Sequence, residues 1–161
     1  MKSTAELPAS ERQQWLSVLA HAPRESLQQL LGPLMTGLQF EPLRAPEVGL
    51  TMLRARAGNS GERFNLGEAT LTRCVLRCVL RFQGEDHVSV GVGYVLGRDV
   101  ERASWVAQAD ALLQQPAWVE RLQAEVIAPL RALTQALRVQ QASETAASRV
   151  QFYTLQAEIQ P

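Results

Sequence analysis

The stretch Ala69-Thr70-Leu71-Thr72-Arg73-Cys74-Val75-Leu76-Arg77-Cys78-Val79-Leu80-Arg81-Phe82 decides how the chain folds. Divided by parity, Thr70, Thr72, Cys74, Leu76, Cys78, Leu80 and Phe82 take one side, and Leu71, Arg73, Val75, Arg77, Val79 and Arg81 take the other. Arginines four apart would also align on a helix. The Thr and Val content, bracketed by Gly67 and Gly84, favours a long strand whose even face meets the core. Downstream, Gln83-Gly84-Glu85-Asp86 turns the chain into a second strand, His87 to Leu96. There Val88, Val90, Val92, Tyr94 and Leu96 alternate with His87, Ser89, Gly91 and Gly93. Upstream, the turn cluster Gly58-Asn59-Ser60-Gly61 predicts a hairpin, and Gly67 interrupts the chain again. From Leu38, the residues Phe40, Leu43, Val48, Leu50, Met52 and Leu53 lie among Pro42, Pro46 and Gly49, and a period of two fits them best.

Helical patterns flank this sheet. Ser10 is placed to cap a helix from Glu11 to Ala22 carrying Trp15, Leu16, Leu19 and Ala20, closed by Pro23. A second short helix follows with Leu27, Leu30 and Leu31, and Gly32-Pro33 punctuates it. Beyond the sheet, Asp99 is a good N-cap for a helix to about Gln114. Pro116 separates it from a long helical stretch, Trp118 to about Gln141, with Pro129 expected to kink it. Val150, Phe152 and Thr154 then alternate with Gln151, Tyr153 and Leu155, the pattern of a terminal strand or extended arm. The order predicts an α+β domain with N-terminal helices, an antiparallel sheet of three to five strands, C-terminal helices and a terminal strand. One domain spans residues 1–161, without internal repeats.

The composition excludes several classes of function. Sixteen basic and sixteen acidic residues cancel, so the positive field that draws a protein to nucleic acid or anionic membranes is missing. The longest run without a charged side chain, Ser26 to Phe40, has 15 residues and includes Gln28, Gln29, Gly32 and Pro33, too short and polar to span a bilayer. No apolar core follows Lys2 in Met1–Glu6, so the cytoplasm is the expected location. Fifteen of the sixteen basic residues are Arg, from coding bias or from use of the guanidinium fork on phosphates and carboxylates.

Motifs of self-sufficient catalysis do not occur: there is no nucleophile elbow, Walker A loop or His-Glu-x-x-His, and only His21 and His87 supply imidazoles. No metal site is expected. Cys74 and Cys78, within one apolar run, read as reduced, buried packing residues. Gly91-x-Gly93-x-x-x-Gly97 has the wrong spacing for a dinucleotide fingerprint, and close backbone approach explains the glycines better. The row Arg73, Arg77, Arg81 marks either a solvated sheet face or one covered by an acidic partner or polyanionic ligand. Asp110 falls in the middle of the stripe Val100, Ala103, Val106, Ala107, Leu113 and so must be paired, hydrogen-bonded or protonated. A structural ion pair with Arg98, or with Arg73, is expected there, and direct ligand binding is the alternative.

Three ordered segments resemble the PhnG family of the bacterial carbon-phosphorus lyase system: Gly61-Glu62-Arg63-Phe64-Asn65-Leu66-Gly67-Glu68-Ala69-Thr70-Leu71-Thr72-Arg73, then Tyr94-Val95-Leu96-Gly97-Arg98-Asp99, then Asp110-Ala111-Leu112. Arg12–His21, Val126–Leu130 and Ala147–Tyr153 extend the likeness over nearly the whole chain. The resemblance implies a subunit of the phosphonate-degrading complex, with PhnI, PhnH, PhnJ and PhnL-type proteins as partners. The implied reaction is a transfer in which methylphosphonate displaces adenine from ATP, giving α-D-ribose 1-methylphosphonate 5-triphosphate. The isolated chain is then expected to be inactive and to self-associate. The alternative is a scaffold or a ligand-binding or regulatory module without a direct role in the reaction. No cofactor is expected on this chain: ATP is the complex's substrate, and an iron-sulfur cluster and S-adenosylmethionine belong to the PhnJ partner. No catalytic residue carries over. Arg73 and Arg98 are the substrate-binding candidates, because their forks fit phosphate or phosphonate oxygens.

Overall fold

Strand β2 (Arg63–Phe82) is the middle of a three-stranded antiparallel sheet, between β1 (Phe40–Arg56) and β3 (Glu85–Leu96), in a computed structural model that describes residues 9–57 and 61–148. Its even face is the inner one: Thr72, Cys74, Leu76 and Cys78 are buried. The β2–β3 hairpin closes on the pair Phe82↔Glu85, and Gln83 and Gly84 both take positive φ, 53° and 85°. That combination is the two-residue turn whose twist matches antiparallel strands. The β1–β2 hairpin is also present, with Arg56 opposite Arg63. Gly67 does not interrupt the chain as expected. It lies within β2 at φ 154°, where a register shift between Leu53 and Arg54 places one extra residue on β2.

The helices lie on the inner face. Helix α3 (Val100–Leu113) packs against β2 and β3, and α1 (Ala9–His21) and α2 (Arg24–Met35) pack against α3. Trp15 and Leu19 of α1, Leu27 and Leu31 of α2, and Leu112 and Leu113 of α3 are fully buried. Each such side chain contributes on the order of 1.5–3 kcal/mol of burial. Two boundaries differ from expectation. Helix α1 begins at Ala9, so Ser10 is inside its first turn. Helix α2 continues through Pro33 to Met35, because the burial of Leu34 and Met35 outweighs the one backbone bond that Pro33 cannot donate.

The predicted kink at Pro129 takes a particular form. A single turn, α4 (Val119–Leu122), passes into a wider π turn (Gln123–Ile127) and then into α5 (Ala128–Ala147). The wide turn relieves the clash that a proline ring makes with the carbonyl four residues earlier. Leu122, Val126, Ile127 and Leu130 join the core, whereas Leu133, Leu137 and Val139 further along α5 are exposed. Among the described residues no helix is long and apolar enough to cross a membrane. The predicted terminal strand, Val150 to Leu155, lies outside the described residues.

Strand β3 turns its small residues inward. Ser89, Gly91 and Gly93 face α3, while Val88, Val90, Tyr94 and Leu96 are exposed on the outer face. A Cβ at Gly91 would overlap the carbonyl oxygen of Ala107 and lie 2.6 Å from the nitrogen of Ala111. One at Gly93 would overlap the carbonyl oxygen of Ala103. The close approach read from these glycines is therefore to the chain's own helix, and they do not offer a surface to other chains. Cys74 belongs to the same contact, its thiol donating to the Ala103 carbonyl at 3.2 Å.

Candidate functional site

Asp110 is fully buried on α3, and four donors meet its carboxylate. Arg12 Nε donates to Oδ1 at 3.2 Å and Arg12 Nη2 to Oδ2 at 2.7 Å. Trp15 Nε1 donates to Oδ1 at 2.9 Å, and the backbone N–H of Val92 to Oδ2 at 2.8 Å. Each oxygen thus accepts two bonds, which uses its lone pairs and leaves none for a ligand. The carboxylate ties α1, α3 and the edge strand β3 together. Around it, Arg12 Nη2 and Gln114 Nε2 both donate to the Val90 carbonyl, at 3.1 and 2.9 Å, covering part of the sheet edge that would otherwise seek another strand.

The partner of Asp110 is Arg12, not Arg98 or Arg73. Asp110 lies eleven residues beyond the Asp99 cap, about 16 Å along the helix axis, out of reach of Arg98. Arg73 is on the outer face of the sheet, away from α3. Arg12 was missed because it is 98 residues from Asp110 in the chain. A local signal did exist: Arg12 and Trp15, three apart, put a guanidinium and an indole N–H on one face of α1.

Arg98 occupies a rigid turn. Gly97, at φ 97°, donates its N–H to the Thr70 carbonyl at 2.8 Å, and its own carbonyl accepts from Thr72 Oγ1 at 2.6 Å. Thr72 Oγ1 accepts in turn from the Asp99 N–H at 3.1 Å, and Asp99 Oδ1 caps α3 by accepting from Arg102 N at 2.9 Å. The expected N-cap is therefore present. Arg98 itself is exposed and in no ion pair among the described residues.

The row Arg73, Arg77, Arg81 does share the outer face, and two of its members are paired across to β1. Arg73 Nε donates to Glu47 Oε1 at 2.6 Å, and Arg77 lies 3.5 Å from Glu41. Both pairs are about half exposed and contribute roughly 0.2–1 kcal/mol each. Between the arginines lie Val79 at 43% exposure and, on β3, Val88, Val90, Tyr94 and Leu96, a mixed apolar and guanidinium surface with no helix over it among the described residues.

Reactive groups elsewhere are dispersed. His21 is bonded to the Ser17 carbonyl at 2.7 Å, and His87 packs edge-on against Phe82. A shallow depression on α5 is lined by Arg138, Gln141, Thr145 and Ser148, but both hydroxyls there donate to backbone carbonyls of their own helix. No group of His, Cys, Asp or Glu among the described residues could hold a metal ion. Burial pushes the thiols of Cys74 and Cys78 up, so less thiolate forms at any given pH than in a free cysteine. Both thiols should resist a disulfide reagent at pH 8 in the folded protein and react on addition of denaturant; rapid native labelling would show that the face opens.

Such a molecule is an α+β protein with N-terminal helices, a three-stranded antiparallel sheet and C-terminal helices, whose described residues include a buried ion pair at Asp110. Residues 10–157 match the family described as phosphonate metabolism protein PhnG, and the chain belongs to that family. It is 36% identical over 157 residues to the alpha-D-ribose 1-methylphosphonate 5-triphosphate synthase subunit PhnG of Rhizobium meliloti (strain 1021), covering 96% of this chain and 94% of that one.

Proposed function

We propose that this chain is a subunit of an alpha-D-ribose 1-methylphosphonate 5-triphosphate synthase in phosphonate catabolism, acting in the assembly and not alone. The observation that carries this reading is the near end-to-end match to a subunit of that name, at 36% identity. In the reaction, a methylphosphonate oxygen bonds to the ribose carbon of ATP as the bond to adenine breaks, and adenine leaves with a proton. PhnI, PhnH, PhnJ and PhnL-type proteins are the partners. This chain works in the cytoplasm and brings no cofactor; ATP is bound as substrate, and the iron-sulfur cluster and S-adenosylmethionine serve PhnJ. The exposed apolar surfaces support an assembled state, and the isolated chain self-associates through those of the outer sheet face, Val79, Val88, Val90, Tyr94 and Leu96.

Of the two candidate anion-binding arginines, Arg98 is the better placed. Arg73 already spends its Nε on Glu47, whereas Arg98 stands on a pinned turn with its fork uncommitted. Adenine release from ATP and methylphosphonate should be followed in the reconstituted complex with and without this chain. Omission should abolish it, and equal rates would overturn the subunit reading. Arg98→Ala should assemble normally and lose about tenfold or more in turnover, the worth of one charge-assisted contact. Arg73→Ala should change turnover less, and the reverse order would move the anion site to the sheet face.

A further inference from the structure

The β1–β2 hairpin extends beyond what the core needs. Along Val48–Arg56 and Arg63–Glu68 only Thr51 and Ala55 are even partly covered. Leu50 is 65% exposed and Leu66 63%, with Met52, Leu53 and Phe64 also open. A two-stranded ribbon is marginal by itself in water, and one that displays six large apolar side chains, Val48 among them, becomes favourable when covered. Among the described residues its edge is open as well. Pro42 and Pro46 blunt the first half of β1, but no proline interrupts Val48–Arg56, so that half can still pair.

The register sorts the arm into zones. Val48, Leu50, Met52, Arg54 and Arg56 alternate onto one face; Asn65 lies across from Arg54, and Arg63 directly across from Arg56. An apolar row thus ends in three guanidinium groups, none of them in an ion pair among the described residues. Arg73 and Arg77, nearer the body, do have glutamates across from them. Like charges facing each other across a ladder are destabilising, unless carboxylates come between them.

We propose that this arm is a docking element that reaches onto a partner protein, covering Val48, Leu50 and Met52 with an apolar surface and meeting carboxylates of that partner with Arg54, Arg56 and Arg63 on the same face. Charge selects this occupant. Glu68, across from Met52, is the one carboxylate in residues 48–56 and 63–68, so two copies of the arm would bring six guanidinium groups together with two carboxylates, and a ribbon without a concavity offers a small anion no enclosure. The inference rests on the subunit reading and names the surface through which it operates.

The test is co-expression of the full chain with the other subunits, purification through a tag on a partner, and mass measurement of the intact assembly. The triple variant Arg54→Glu, Arg56→Glu, Arg63→Glu and the pair Leu50→Ser, Met52→Ser should each reduce the retained chain about tenfold or more, with melting temperatures unchanged because the arm lies outside the core. In the unmodified chain, amide hydrogen exchange over residues 48–56 and 63–68 should slow on assembly. A parent chain that is not retained removes the subunit reading and the arm's role with it. A parent retained alongside equally retained variants, with unchanged exchange in the arm, removes the arm alone. Variants that assemble normally but lose binding of inorganic phosphate, or lose only self-association, would also overturn the proposal.

Discussion

Asp110→Ala should destabilise the protein by about 3–5 kcal/mol, the cost of stranding one side of a buried pair. At roughly 2–4 °C per kcal/mol for a domain of this size, the melting temperature should fall by about 6–20 °C. The substitution leaves three donor groups without their acceptor. Trp15 Nε1 is buried, the Val92 N–H points to an edge where no strand replaces the carboxylate, and the Arg12 guanidinium loses its counterion. Arg12→Ala should cost a comparable amount: it leaves a fully buried carboxylate without its counterion, although Asp110 would keep two of its donor groups. Trp15→Phe should cost about 1–3 kcal/mol at least for the one donor removed. Denaturant titration of the three variants checks the order, and an Asp110→Ala midpoint equal to the parent's would show the carboxylate to be hydrated.

Gly91→Ala and Gly93→Ala should each destabilise by about 3 kcal/mol or more, at or above the upper end of ordinary overpacking. The obstruction in both cases is the backbone of α3, which has no rotamer to change, so the helix must move off the sheet. Val92, between the two glycines, is the residue whose N–H bonds to Asp110. Displacing α3 therefore weakens the carboxylate site as well, and Gly91→Ala combined with Asp110→Ala should cost less than the sum by more than about 0.5 kcal/mol. Gly32→Ala is the control. Nothing lies within 4 Å of its Cβ position, and a helical alanine there should stabilise by up to about 1 kcal/mol. Thermal melts of the four variants suffice; parent-like stability of both strand variants would mean the helix stands further off.

The parity of Ala69–Phe82 was enough to identify the core face, because a strand with one buried side must keep period two and β2 does so from Thr72 to Cys78. Asp110 was equally legible, since a charge in an apolar stripe needs a partner. The identity of that partner was not, for pairings across 98 residues leave no periodic trace. The valines of β3 are a different lesson: alternation reveals two faces but not which one is buried, and here helix contact with the glycines put the larger residues outside. The extension of β1 and β2 into an arm was hidden in the same way, because hydrophobic alternation looks alike whether a layer covers it or not. Arg73 and Arg98 were named from residue type alone, and one has an ion-pair partner within the chain while the other has none among the described residues.

The bond from Arg12 to Asp110 also sets a schedule for synthesis. The first helix leaves the ribosome early, yet its anchor is made 98 residues later, about 5–20 s at ordinary translation rates. Until the strands and the third helix have emerged, Trp15, Leu19, Leu27 and Leu31 lack the layers that cover them in the folded chain. The newborn chain is thus most vulnerable to aggregation while its growing end is still among the strands, and a nascent-chain chaperone would find its target in the two leading helices.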